Sequence, residues 1–284
     1  MAELYEIHES PDLADPVLVL ALDGYIDAGF ASANAVGTML EGSGYVTVAT
    51  FDSDALLDYR SRRPTVHLAD GVTTGLTWPG IELWAAADAN GNEALFLVGA
   101  EPDHLWRAFS AAVVSLAHQF GVREVLSLGA YPAAAPHTRP VRVVATASTV
   151  ELAQRVNTVV GHLDVPGGVH SAIEAVAADE GLPALGLWAQ VPHYAAAMPY
   201  PDASNALIGA LSEHGGVSFP FGSLGDDAGA TRHRLDSLVT NNDEHIAMLR
   251  QLENQYDTAE DLSGSLPSGD DLAAEVEQFL RDQD

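Results

Sequence analysis

The 284-residue chain reads as a layered α/β protein built around a largely parallel, mixed sheet. Three features predict it. Short apolar runs, Val-Leu-Val-Leu-Ala-Leu ending at Leu22 and Val-Leu-Ser-Leu ending at Leu128, have the length and composition of strands buried on both faces. Stretches with apolar residues at three- and four-residue spacing alternate with those runs and predict helices. Clusters of Gly, Pro, Asp and Asn separate the two kinds of segment.

Taken in order, residues 4–8 alternate weakly and predict an edge strand. Residues 16–22 form a buried strand that ends at Asp23-Gly24-Tyr25-Ile26-Asp27-Ala28-Gly29, and a helix follows over residues 28–40. Asp27 reads as the cap of that helix before it reads as a catalyst, because its carboxylate can take the free N–H groups of the first turn. The turn lacks the GxGxxG spacing of a phosphate cradle, and an aspartate there would repel an anion. Asp23 ends a strand, the place where α/β folds face their ligands.

A third strand is expected at 46–51, then a short helix through Leu56, Leu57 and Tyr59. Arg60, Arg62 and Arg63 make the local basic cluster, read as holding neighbouring carboxylates. Strands at 65–68, 75–78, 81–87 and 94–98, with Asn90-Gly91 as a hairpin turn, predict a β-meander continued into the main sheet. Pro102-Asp103 opens the next helix with Asp103 as its expected N-cap. Leu105, Phe109, Ala112, Val113, Leu116 and Phe120 give that helix one apolar face, and Gly121 ends it. Trp106 lies beside the stripe and reads as core. Glu101 stands at the strand-to-helix junction.

The strand at 125–128 is expected to break at Gly129-Ala130-Tyr131-Pro132. The chain then passes through a loop holding His137-Thr138-Arg139-Pro140 before a second run at 141–146. Helices follow at 149–160 and 169–179, separated by a Gly/Pro loop containing His162. A strand at 185–191 ends at Pro192-His193-Tyr194, and a helix covers 201–214. A candidate cleft therefore gathers Asp23, Asp27, Glu101, His137, Thr138, Arg139 and His193, all near predicted strand ends. Two readings of the loop stand. Its His and Arg pair with nearby carboxylates in a rigid connection, or the His acts as a general base while Arg139 clamps an anion.

Composition closes several classes. There is no cysteine, so disulfides, thiolate metal sites and cysteine nucleophiles are excluded. All twelve Lys+Arg residues are arginine, which excludes Walker-type phosphate loops and Schiff-base chemistry. A formal charge of -28 opposes binding to nucleic acid or to an anionic membrane. The spacing of the eleven histidines offers no helical pair for a metal, and neither a metal nor a cofactor is expected. The N-terminal segment has no basic n-region or apolar h-region, and no apolar stretch approaches a membrane span, so a cytoplasmic protein is expected.

Two domains are expected: an α/β core over residues 1–225 and an acidic helical extension over 226–284. The extension carries net -11 against -17 for the much longer core. Leu235, Leu238, Leu249, Leu252 and Tyr256 fall near heptad spacing, with Asn242 and His245 interrupting. A capping box at Ser268-Gly-Asp-Asp271 precedes a second stripe, Leu272, Val276, Phe279 and Leu280. These stripes require a surface to cover.

The motifs DGYIDAGFASANA, VGAEPDHLWRAF, LGAYPAAAPHTRPVRVVATAS, LWAQVPHYAAAMPYPDA and the terminal LPSGDDLAAEVEQFLRD, in that order, resemble the proteasome assembly chaperone 2 family in its bacterial, actinobacterial-type branch. The resemblance implies a three-layer α/β/α core, nucleoside-phosphorylase-like, with C-terminal helices and assembly into homo-oligomers. Gly24, Asp27, Ala28 and Gly29 match the first motif; Glu101, Pro102 and Trp106 match the second. Gly129, Pro132, Pro136, His137, Thr138, Arg139 and Pro140 match the third, and Pro192, His193 and Tyr194 the fourth. Tyr25 departs from the tryptophan common in the family. The last residues, Arg281-Asp282-Gln283-Asp284, depart from the hydrophobic-Tyr-X ending with which some archaeal relatives dock on proteasome rings. Archaeal and eukaryotic relatives are chaperones of proteasome assembly, whereas the bacterial branch has no settled activity. The resemblance thus implies a homo-oligomer, trimer or larger, that is a protein-interaction or assembly factor and meets a protein partner. The alternative is an enzyme or anion-binding protein using the cleft around His137 and Arg139.

Overall fold

The computed structural model describes residues 4–24, 26–158, 164–240 and 242–264. Tyr25, His162, the capping box at 268–271 and the second tail helix expected after it lie outside the described residues.

The strands are β1 (Tyr5–Ile7), β2 (Val17–Asp23), β3 (Val46–Phe51), β4 (Thr65–Ala69), β5 (Val72–Thr77), β6 (Ile81–Ala87), β7 (Glu93–Ala100), β8 (Glu124–Ala133), β9 (Val143–Ala147) and β10 (Ala184–Pro192). Eight of them form one mixed sheet in the order β1-β3-β6-β7-β2-β8-β10-β9. Its centre, β7-β2-β8-β10, is parallel, and both flanks are antiparallel. The central strands are the unbroken apolar runs: the first six residues of β2 are all buried. Such strands need cover on both faces.

Helices supply that cover. α3 (Trp106–Gln119) packs with α5 (Val169–Asp179) on one side, and α1 (Ala31–Leu40) packs with α6 (Pro201–Gly215) on the other. Alternation along β2 divides the core accordingly. Leu18, Leu20 and Leu22 join Phe109, Val113 and Ile173 in one cluster, and Val17, Val19 and Ala21 face the opposite layer. Truncating a fully buried member such as Leu18 to alanine costs about 2–5 kcal/mol in cores of this kind. The molecule is the three-layer α/β/α type expected.

Several local expectations change. β8 does not break at Gly129; it runs on to Ala133 because β10 pairs with it along the whole length, to Pro192↔Ala133. Asp103 is not the cap of α3. That position belongs to Leu105, in the left-handed region at φ 58°, while Asp103 accepts the Asp58 N–H at 2.8 Å and Arg62 Nε at 3.3 Å. The helix expected at 149–160 is one turn, α4 (Val150–Ala153), capped by the Thr149 hydroxyl. β4 and β5 do not continue the meander into the main sheet; they form a separate two-stranded ribbon. Short helix α2 (Ser53–Leu56) precedes them.

The described tail holds α7 (Leu224–Thr240) and α8 (Asp243–Gly264). The heptad-like seam is not continuous. Asn242 stands at a helix boundary, where its side chain accepts the Glu244 N–H at 2.8 Å and starts α8. Leu235, Leu252 and Tyr256 are buried, but Leu238 is 59% exposed. The chain divides into two compact units: Met1–Ala133 with Pro140–Thr231, and Ala134–Arg139 with the chain from Arg232 onward. No helix among the described residues is long and apolar enough to cross a membrane.

Candidate functional site

The second unit takes in the loop motif. Arg139 donates from Nε and Nη2 to the two carboxylate oxygens of Asp257, each at 2.8 Å, and from Nη1 to Glu253 at 3.3 Å. Thr138 donates its hydroxyl to the same Glu253 oxygen at 2.5 Å. His137 is buried, with Nε2 3.1 Å from Asp236 Oδ1. Asp257 and Glu253 hold the guanidinium charged well above its ordinary range. They are four residues apart on α8, one helical turn, so one face of the helix presents both acids to one arginine. A planar fork matched by a carboxylate is the strongest geometry such a pair has.

The other residues of the expected cleft lie in the first unit. Asp27 accepts the backbone N–H groups of Ser32 at 2.8 Å and Ala33 at 3.1 Å, so it serves the first turn of α1 as expected of a cap. Burial raises its carboxyl pKa against the pull of those hydrogen bonds. Asp23 is exposed at the end of β2, and its carbonyl accepts the Glu101 N–H at 2.9 Å. His193 is exposed on a 3-10 turn, His193–Ala195, and packs edge-on against Tyr194.

Glu101 has the central place. Its Oε1 accepts the Val169 N–H at 2.8 Å, so a residue at the end of β7 caps α5 across the sheet. With Leu22, Ile26, Gly168, His170 and Trp188 it lines a small cleft of about 20 Å³, room for a single water. The cleft opens at the carboxyl ends of the parallel strands, the usual ligand position of an open α/β sheet. His170 Nε2 accepts the Leu22 N–H at 3.1 Å, and burial depresses its pKa to about 4, so the ring is neutral with its proton on Nδ1. Glu174 lies one helical turn along α5 on the same face. Its Oε1 is sequestered without a hydrogen-bond partner. Burial pushes this carboxyl up to about 7; Ser127 opposes the rise without meeting Oε1 in a hydrogen bond. Among the described residues no group of three or more His, Asp or Glu has a metal-binding arrangement.

Sequence reading missed His170, Glu174 and Trp188. The available signals were the i, i+4 pair His170/Glu174 behind Gly167-Gly168, and glycines inside two strands. A Cβ on Gly129 would stand 2.6 Å from Trp188 Cε3, so this glycine seats the indole. Gly in a strand interior marks such close approaches.

A family model described as the PAC2 family matches residues 21–239. The chain belongs to the PAC2 family. A Mycobacterium tuberculosis protein of unknown function is 34% identical with a TM-score of 0.85, covering 92% of this chain and 93% of its own. A PAC2 family protein from Streptomyces avermitilis is 32% identical at TM-score 0.74, covering 83% of this chain and 100% of its own. A proteasome-assembly chaperone homologue from M. tuberculosis is 28% identical at TM-score 0.76, covering 82% and 99%. No curated protein matches the chain. The PAC2 span takes in the Glu101 cleft and the 134–139 segment, whereas α8, which supplies Glu253 and Asp257, lies beyond it.

Proposed function

We propose that this PAC2 protein is an assembly or protein-interaction factor that works as a homo-oligomer, trimer or larger, with the β4–β5 ribbon as the contact between copies. The ribbon carries the proposal. Val66, Leu68, Val72, Leu76 and the adjoining Trp78 are 48–65% exposed. A lone two-stranded ribbon has no core of its own and is marginal in water. Exposed apolar side chains gathered in one place mark an interaction surface. Charge selects the occupant. Copies that each carry -28 repel one another, and residues 65–77 contain one acid, Asp70, so a second copy meets least repulsion there.

Similarity to the M. tuberculosis proteasome-assembly chaperone homologue supports the assembly role. The pairing of Arg139 with Asp257 and Glu253 weighs against the other reading, an anion site around His137 and Arg139, because the guanidinium already has its anions. Light scattering of the full chain tests the proposal. The wild type is expected at three or more times the 29.9 kDa chain mass, and Leu68→Asp/Leu76→Asp is expected at one. Both positions are exposed, so the variant keeps its fold. A monomeric wild type, or a variant of unchanged mass, would overturn the ribbon contact.

A further inference from the structure

We infer, building on the ribbon contact proposed above, that the β4–β5 ribbon of one copy seats in a groove between α1 and strands β6 and β7 of the next. Ribbon and groove are then the two halves of one head-to-tail contact. Val66 and Leu76 face each other across the ribbon and Leu68 stands two residues along, so the three share one face. They are 48–62% exposed, so the ribbon does not lie in the groove of its own chain. Ribbon against ribbon across a twofold axis joins only two copies. Assembly of three or more requires that the ribbon meet a different patch.

The groove offers about 640 Å³. Val36, Leu40, Tyr45 and Trp84 give it apolar walls, and the Tyr45 ring stacks on Trp84 with centroids 4.4 Å apart. Tyr45 is 42% exposed, an aromatic surface of the kind that anchors protein contacts. Charge matches as well. Asp23 and Glu41 line the groove, and both are exposed. Residues 60–77 hold three arginines and one acid in a chain of net charge -28. Arg62 is engaged within its own copy, with Nε on Asp103 at 3.3 Å and Nη1 on the Asp23 carbonyl at 3.4 Å. Arg60 and Arg63 are exposed, and their side chains have no ion pair or hydrogen bond among the described residues. They stand at the base of the ribbon, so a seated ribbon brings two unpaired cations toward a groove with two carboxylates. The ribbon's one acid, Asp70, sits at its turn with φ 50°. Like charge keeps that turn outside, so the ribbon lies along the groove by its apolar face and does not enter tip first.

Gly37 gives a way to close the groove. It is exposed on α1, lines the groove, and a Cβ there meets nothing within 4 Å, so Gly37→Arg leaves the fold intact. Light scattering of full chains reads the result. Gly37→Arg is expected at the mass of one chain, as is Leu68→Asp/Leu76→Asp. An equimolar mixture of the two is expected at the mass of a pair, because one intact ribbon meets one intact groove and no third chain can add. Glu41→Arg, at an exposed position, is a second groove variant and is expected to weaken assembly by about tenfold. Both groove variants assembling like the wild type, or a mixture that stays at the mass of one chain, would overturn the groove while leaving the ribbon contact standing. A ribbon variant that keeps the wild-type mass overturns the ribbon contact itself, and the groove with it.

Discussion

Arg139 and Asp257 are joined by two parallel hydrogen bonds of 2.8 Å, across 118 residues of sequence. Both groups belong to the second compact unit, and the pair fixes the 134–139 segment to α8. Arg139→Ala is expected to raise amide exchange across residues 243–258 by about tenfold, leaving β2 and β8 unchanged. Arg139→Lys should restore little, because an ammonium cannot reproduce the two-pronged contact. Hydrogen–deuterium exchange read by mass spectrometry checks both variants. Unchanged exchange in α8 would show that the pair does not hold the helix.

Gly129 makes room for Trp188. A methyl group there meets the indole in the middle of a paired strand, so Gly129→Ala is expected to destabilise the fold by about 1–3 kcal/mol. Trp188→Leu in the same chain should recover part of that loss, a coupling read directly by urea denaturation of the two single variants and the double.

The pH dependence of stability has two opposed sources. His170 is neutral in the fold with its pKa lowered from 6.5 to about 4, so its contribution is present above 6.5 and is lost as pH falls through 4. Glu174 is raised from 4.5 to about 7, so its contribution is present below 4.5 and is lost as pH rises through 7. The two slopes oppose each other between 4.5 and 6.5. Glu174→Gln should remove the loss above neutrality, roughly 1–3 kcal/mol, and leave the acid-side loss uncompensated. Urea midpoints measured between about pH 5 and 8 would reveal it.

Asp88 organises the β6–β7 turn and ties it to the segment that follows α6. Its carboxylate accepts Asn90 N at 2.8 Å, Asn92 N and Nδ2 at 2.9 Å, and Ser218 N at 2.7 Å. Against the cost of burial, these donors hold its pKa down to about 2. Asp88→Ala leaves several donors unanswered and should cost about 2–4 kcal/mol; Asp88→Asn should cost less. Thermal unfolding of the two variants ranks them.

Much of the fold was legible because its signals are local. The apolar run of β2, the stripe of α3 from Phe109 to Leu116, and the Asn90-Gly91 turn each depend on residues close in sequence. The errors arose where a distant partner decided the outcome. β8 continues past Gly129 because β10 lies beside it, and Asp103 leaves its helix to bind Asp58 and Arg62. The site was less legible for the same reason. Glu101 stood out at a strand end, and Asp27 declared itself as a cap. Nothing near residue 139 announces that its anions come from Glu253 and Asp257, and His170 gains its meaning only from the backbone of Leu22.

The gap between Arg139 and its acids also sets a timetable for synthesis. Residues 134–139 leave the ribosome more than a hundred positions before Asp257 has been polymerised, and every strand of the main sheet is complete by then. In that interval a cationic side chain waits on a nascent chain that is otherwise strongly acidic. A message truncated before residue 243 would yield a polypeptide with all ten strands and neither acid. Such a product would lack both carboxylates that pair with the Arg139 guanidinium.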